Sequence, residues 1–428
     1  ISVFKIILKK YKNHIKKCYF CKFNTIVKKY ILGLETLSKN NVKKSSRILA
    51  LDIARLIAML MMVQGHTIFA LLEPNTIKAG QWYWQVWIFT RGLTAPVFLM
   101  VSGAVQIFAN KRLESGKLSE KTIKRRFRTC IILLCVGYLL QFPTNNLYDL
   151  FFLSEKSLLN FCKVNVLQMF SISIFLLTLL YIITRNNFTL AIVSFIVGNS
   201  ILILTPKVLS INWFDILPIP LASFLSMKNG SIFPIFPFTA YLFLGTFVGY
   251  LIKKQEHEKR TFYIATRLAI LGLIYVLIAY FLKYLNYYSA YNNCFIFTKS
   301  TLSIWLIVVR VGLSMIAISI AAWVCYFLEK FKQNTVWKSI QDTIYLFSNR
   351  ALFIYVIHLL LIYGSPITPG LRHFLINTDV FTAVYSAFAI IFFTMLIVYI
   401  YDKTFSKEKF SQLYKYAIVA LLIYMLFI

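Results

Sequence analysis

Seven side chains able to carry charge or move a proton lie in stretches too apolar to solvate them. Asp52, Arg55 and His66 fall in RILALDIARLIAMLMMVQGHTIFALLEP, and Arg91 in WYWQVWIFTRGLTAPVFLMVSG. Further along, Arg310 interrupts one hydrophobic run, and Tyr355 and His358 sit three apart in SNRALFIYVIHLLLIYGSP. An imidazole titrates near neutrality and can serve as a general base with little tuning. A guanidinium holds phosphate oxygens or a developing oxyanion. An ionisable group within a membrane span costs a few kcal/mol or more, so it faces a cavity or a partner and marks function by default. Asp52, Arg55, Met59, Met62 and His66 recur at helical spacing, which places them in one stripe down one side of a helix. Arg55 and His66 are three turns apart, roughly 16 Å. The plainer reading of that stripe is polar packing at a helix–helix interface.

The elements that must position these groups are membrane helices. The 428 residues are 59% hydrophobic and 17% aromatic, with a mean hydropathy of +0.70. These totals indicate an all-α polytopic membrane protein, a bundle of ten or eleven transmembrane helices around a central cavity. Expected spans fall at 51–72, 83–109, 129–142, 167–184, 188–205, 233–252, 262–282, 301–328, 344–364, 380–401 and 413–428. The net charge of +31 excludes little by itself, but its distribution argues against a nucleic-acid partner. Counted alternately from a cytoplasmic N-terminus, the inner segments hold 32 Lys and Arg and the outer ones 8. That asymmetry is the positive-inside pattern of a multi-pass protein whose basic loops meet anionic lipid.

Residues 1–46 form a basic arm with no assigned chemistry, and the membrane domain occupies 47–428. No cleavable signal peptide is expected. The seven cysteines are scattered; Cys18 and Cys21 have no second pair, so no metal site is expected. Loop NKRLESGKLSEKTIKRRFRT is the most basic connection between spans. Its cations, Arg125 and Arg126 among them, serve either topology alone or an anionic cytosolic donor as well. Pro234 and Pro237 predict a bent approach to the following helix. Gly245 and Gly249 make a small-residue face for close packing.

Four segments in order (RILALDIARLIAMLMMVQGH, TRGLTAPVFLMVSG, FPIFPFTAYLFLGTFVG and SNRALFIYVIHLLLIYG) give the chain a recognisable signature. It resembles the transmembrane acyltransferase superfamily, closest to the heparan-alpha-glucosaminide N-acetyltransferase catalytic domain family and its bacterial relatives. The Arg55 to His66 spacing also resembles that of the acyltransferase-3 O-acetylases. The chain departs from these patterns at Leu56, where Gly or Ala is usual, and at Phe238, where Trp is common. The resemblance implies transfer of an acetyl group from cytosolic acetyl-CoA to a glycan, amino-sugar or lipid-linked sugar acceptor across the membrane. It implies His66 as the catalytic histidine and Arg55 as the arginine of the same span. The residues themselves add His358, Arg310 and Tyr355 as further members of the reactive set, and Arg55, Arg91, Arg125 and Arg126 as candidates to hold the donor. His66 could act as base or be acylated transiently. A transporter or flippase for a lipid-linked sugar or anion is the alternative from a different class.

Overall fold

The computed structural model describes residues 47–78, 81–143, 149, 152–288, 303–329, 335–364 and 368–404. The basic arm, the Cys18–Cys21 pair and the expected span at 413–428 lie outside these residues. Among the described residues every regular element longer than an isolated bridge is a helix. Among the described residues eight helices are long and apolar enough to cross a membrane, or nine if the bent pair Thr335–Asn349 and Ala351–Tyr363 is one span. They are α1 (Leu49–Leu71), the pair α2 (Trp82–Arg91) and α3 (Thr94–Ala109) acting as one span, α6 (Val166–Ile183), α7 (Asn187–Ser210), α9 (Ile235–Lys254), α10 (His257–Leu285), α11 (Ile304–Leu328) and α14 (Val380–Thr404). Their ends lie within a few residues of those expected.

Two expected spans take a different form. The short one at 129–142 is the apolar second half of α4 (Glu120–Leu139), whose first half, EKTIKRRFR, is basic. Ser119 starts that helix early by accepting the Thr122 N–H, and Glu120 suits the positive end of the helix dipole. The span at 344–364 is a broken pair, α12 (Thr335–Asn349) and α13 (Ala351–Tyr363), bent by 72° at Arg350. Arg350 pairs with Asp402 on α14 and lies over the Tyr401 ring, which ties the bend to its neighbour.

Helix α1 is the hub: α3, α11, α12, α13 and α14 all pack against it. The tightest seam lies elsewhere, between α3 and α9. A Cβ at Gly245 would stand 2.1 Å from the Met100 carbonyl oxygen, and one at Gly249 2.3 Å from that of Ala104. In return, a Cβ at Gly103 would meet the Leu242 carbonyl at 2.0 Å. Lipid tails are as apolar as leucine, so such backbone-to-backbone approach supplies the packing that hydrophobicity cannot. The bent approach to α9 is present: Phe236 is non-helical and the Phe236–Pro237 bond is cis.

At the helix ends opposite the basic loops, two short helices, α5 (Glu155–Phe161) and α8 (Ile219–Leu225), are knitted together. The Val164 carbonyl accepts from the N–H groups of Ile232 and Phe233, and Ser231 Oγ accepts the Val164 N–H at 3.0 Å. The seam between α3 and α9 yields a direct test. Gly245→Val forces two backbones apart and should abolish the monodisperse folded species on size exclusion, because overpacking of about 1–3 kcal/mol is already costly where side chains can yield. Leu277→Val, on an exposed position of α10, should leave the profile unchanged. A wild-type profile for Gly245→Val would contradict the packing described.

Candidate functional site

Among the described residues, two chambers are lined by the polar stripe of α1 and its neighbours. The one toward the basic loops has a volume of about 380 Å³ and is lined by Arg55, Met59, Met62, Gln106, Arg126, Ser348 and His358, among others. The other, toward the opposite helix ends, is about 290 Å³ and includes His66, Arg91, Gln141, Asn165, Gln168 and Tyr363 in its wall. Leu167 and Tyr355 belong to both. The partition is therefore about one side chain thick.

The stripe on α1 does what its spacing implied. Arg55, Met59 and Met62 face the first chamber, and His66, a turn further on, faces the second. His358 comes from α13, beyond the bend, and its ring centroid lies 5.5 Å from that of His66. Tyr355, one turn earlier, packs edge-on against His358 with centroids 5.3 Å apart. His358 is 1% exposed, and its Nδ1 is 2.9 Å from the Ile354 carbonyl oxygen. A carbonyl can only accept, so Nδ1 carries the proton and Nε2 presents its lone pair. No hydrogen-bond partner meets that Nε2. A buried polar atom without a partner is rare and calls for a reason; here it belongs to a residue that lines the first chamber.

The guanidinium groups divide between four places. Arg126 reaches the first chamber because Asn110 Oδ1 accepts from both its Nε and Nη2, at 2.9 and 2.6 Å. Asn110 is itself bound to Gln106 at 3.4 Å. Arg125, one residue earlier and about 100° around the helix, is exposed. Arg91 lies in the second chamber, apart from Arg55 and Arg126. Its methylenes rest on Gly65, where a Cβ would sit 3.0 Å away, and its guanidinium lies 4.4 Å over the Phe69 ring. Arg310 lines neither chamber. It lies against Gly92, where a Cβ would be 2.8 Å from a guanidinium nitrogen, at the break between α2 and α3. The structure thus brings His66, His358 and Tyr355 together and places Arg310 outside that group.

Several groups absent from the sequence-derived set prove to be wall or support. Ser348, at the end of α12, donates to Asp52 Oδ1 at 2.5 Å and so joins α1 to the bend. Gln141, Asn165 and Gln168 form an amide cluster in the second chamber. The available signal was uncharged amides inside apolar segments, a weaker mark than charge. Among the described residues no carboxylate lines either chamber, and no group of three His, Cys, Asp or Glu could hold a metal ion.

The catalytic-domain model of the heparan-alpha-glucosaminide N-acetyltransferase family matches residues 47–282. The chain belongs to this family, a group of membrane acetyltransferase-type proteins. No curated protein matches it. The matched region carries His66, Arg91, Arg126 and the amide cluster, and it stops before Arg310, Tyr355 and His358. The partition can be mapped by thiol accessibility. A cysteine replacing Ser102 should react with a membrane-impermeant thiol reagent from the side of the basic loops only, and one replacing Leu359 from the opposite side only. Equal labelling of both from one side would show a single open pore instead.

Proposed function

We propose that this protein transfers an acetyl group from acetyl-CoA, entering from the side of the basic loops, to a sugar acceptor that enters from the other side. The observation that carries the reading is the His66–His358 pair: its rings lie 5.5 Å apart, with His358 in the wall of one chamber and His66 in the wall of the other. The first chamber suits the flexible thioester arm of the donor, being mostly apolar with a few fixed polar groups. The charged nucleotide stays at its mouth, where Arg126, held by Asn110, and Arg55 offer planar forks to phosphate. Exposed cations on the same helix end, Arg125 among them, steer the anion rather than grip it. The cytoplasm would be the donor side by the charge asymmetry of the loops.

The reaction needs little beyond alignment and management of one proton. The acceptor's hydroxyl or amine attacks the thioester carbonyl carbon while His66 takes its proton. The carbonyl oxygen gains negative charge in the tetrahedral intermediate, and the Tyr355 hydroxyl, at the partition, donates to it. The C–S bond then breaks, and the CoA thiolate recovers a proton from the histidine pair. Acetyl-CoA and acceptor become CoA and acetylated acceptor. His358, with Nδ1–H fixed on the Ile354 carbonyl, keeps its Nε2 lone pair toward the donor and holds the pair in register. Arg310 acts at a distance, by supporting the Gly92 break from which Arg91 and the second-chamber wall are hung.

Release of CoA from acetyl-CoA by the purified full-length chain, with and without a sugar acceptor, tests the reading. His66→Ala should lower acceptor-dependent turnover by about 10²–10⁴-fold, the usual span for a lost acid–base group, with folding intact. Asn110→Ala should raise the KM for acetyl-CoA more than it lowers kcat, because it loosens Arg126 without touching the reacting atoms. Unchanged turnover in His66→Ala would remove the histidine from the chemistry. Sugar accumulation in vesicles without CoA release would point to transport instead.

A further inference from the structure

Arg310 is a cation within a span, outside both chambers, and its charge has no partner among the described residues. Its Nε is sealed and meets no acceptor. The two Nη atoms also lack a described partner, but the half-buried side chain leaves them accessible. The described ion pairs all lie elsewhere. An unmatched guanidinium is costly inside a bilayer, so an anion or the wet interface must meet it. Arg310 is six residues into α11, roughly 9 Å from its start, and side chains tilt toward a helix's N-terminus. The guanidinium is therefore raised toward the membrane surface beside Gly92, on the side opposite the basic loops, as snorkelling cations are.

A groove of about 270 Å³ starts at the same place. Its walls include Ala54 and Ala58 of α1, Thr90 and Thr94 on either side of the break at Gly92, and Ala317 and Ala321 of α11. Thr90 and Thr94 donate their hydroxyls to the carbonyls of Trp87 and Arg91, at 3.0 and 2.9 Å. No charged side chain lines the groove, so what it offers a ligand is hydrocarbon. Ile57 and Ile320 in its wall are 51% and 58% exposed, which opens it sideways to the bilayer. Two placements put Arg310 at its end. A guanidinium nitrogen would be 2.8 Å from a Cβ at Gly92, between the two threonines. Arg310, Ala317 and Ala321, spaced by seven and four residues, also share one face of α11, the alanines roughly 10 and 16 Å along from the cation.

We propose that Arg310 and this groove hold one anionic phospholipid of the leaflet opposite the basic loops, with its phosphodiester on the guanidinium and an acyl chain along Ala317 and Ala321. Free phosphate would satisfy the arginine and leave the groove unfilled; a neutral hydrocarbon would do the reverse. The planar fork of an arginine suits two phosphate oxygens. A zwitterionic headgroup brings its own ammonium as counter-ion, whereas an anionic one leaves its charge for Arg310. The lipid would bridge α1, the break and α11 from the membrane side. This site stands apart from the transferase reading and does not depend on it.

The test is native mass spectrometry of the delipidated full-length protein in detergent, titrated with dioleoyl phosphatidylglycerol or dioleoyl phosphatidylcholine. The wild type should hold one phosphatidylglycerol about tenfold more tightly than phosphatidylcholine, the worth of one charge-assisted contact. Excess inorganic phosphate should not displace it. Arg310→Gln should bring phosphatidylglycerol down to the phosphatidylcholine level, and Arg310→Lys should keep part of the preference. Ala317→Phe fills the groove while leaving the cation and should lose the tightly held molecule. Size exclusion confirms that each variant is folded; if Arg310→Gln is not, Ala317→Phe decides alone. Equal affinity for the two lipids, displacement by phosphate, or wild-type binding in folded Arg310→Gln or Ala317→Phe would overturn the proposal.

Discussion

A pair of imidazoles between two chambers is the constraint from which the rest of this structure follows. Two rings 5.5 Å apart cannot be held by one helix, since His66 and His358 are nearly three hundred residues apart in sequence. They meet because α1 is one unbroken helix while the chain carrying His358 is broken at Arg350 and turned by 72°. The break has anchors at both ends, Ser348 on Asp52 and Arg350 on Asp402. Each anchor keeps a polar or charged group satisfied where lipid or packed side chains would otherwise leave it unpaired. Such polar anchors are weak evidence for stability but good devices for register, and register is what the histidine pair requires.

The glycine seam of α3 and α9 serves the same end from another direction. By letting two backbones touch, it makes one side of the bundle rigid, and the chambers open on the other side, where α4, α6 and α13 line them. The site is therefore supported by elements with fixed backbones and not by loops, the arrangement that holds a reacting geometry best. Membership of the heparan-alpha-glucosaminide N-acetyltransferase family, shown across residues 47–282, agrees with this layout, although half of the histidine pair lies beyond the matched region.

Much of this was legible in the amino-acid order, for definite reasons. The stripe from Asp52 to His66 could be read because helical periodicity fixes a face, and that face does line the chambers. The long apolar runs declared the spans within a few residues. What failed to show was azimuth between helices. Arg91 and Arg310 look alike in sequence, each a cation in mid-span, yet one enters a chamber and the other rests on Gly92. Arg125 and Arg126 are neighbours in sequence and differ in fate because successive helical residues point about 100° apart. The bend at Arg350 was missed because a single span was expected to run through the short polar break Ser348, Asn349 and Arg350. The amides Gln106, Gln141 and Gln168 went unnoticed because they carry no charge, although in a low-dielectric wall an unmet amide is nearly as informative.

The most direct measurement separates the two substrates by a membrane. Sealed vesicles carrying the protein in one orientation are loaded with sugar acceptor, and acetyl-labelled, membrane-impermeant acetyl-CoA is added outside, on the side of the basic loops. Labelled acetyl-sugar should accumulate inside while CoA remains outside. Label on the sugar only when donor and acceptor share one side would contradict a transfer across the histidine partition.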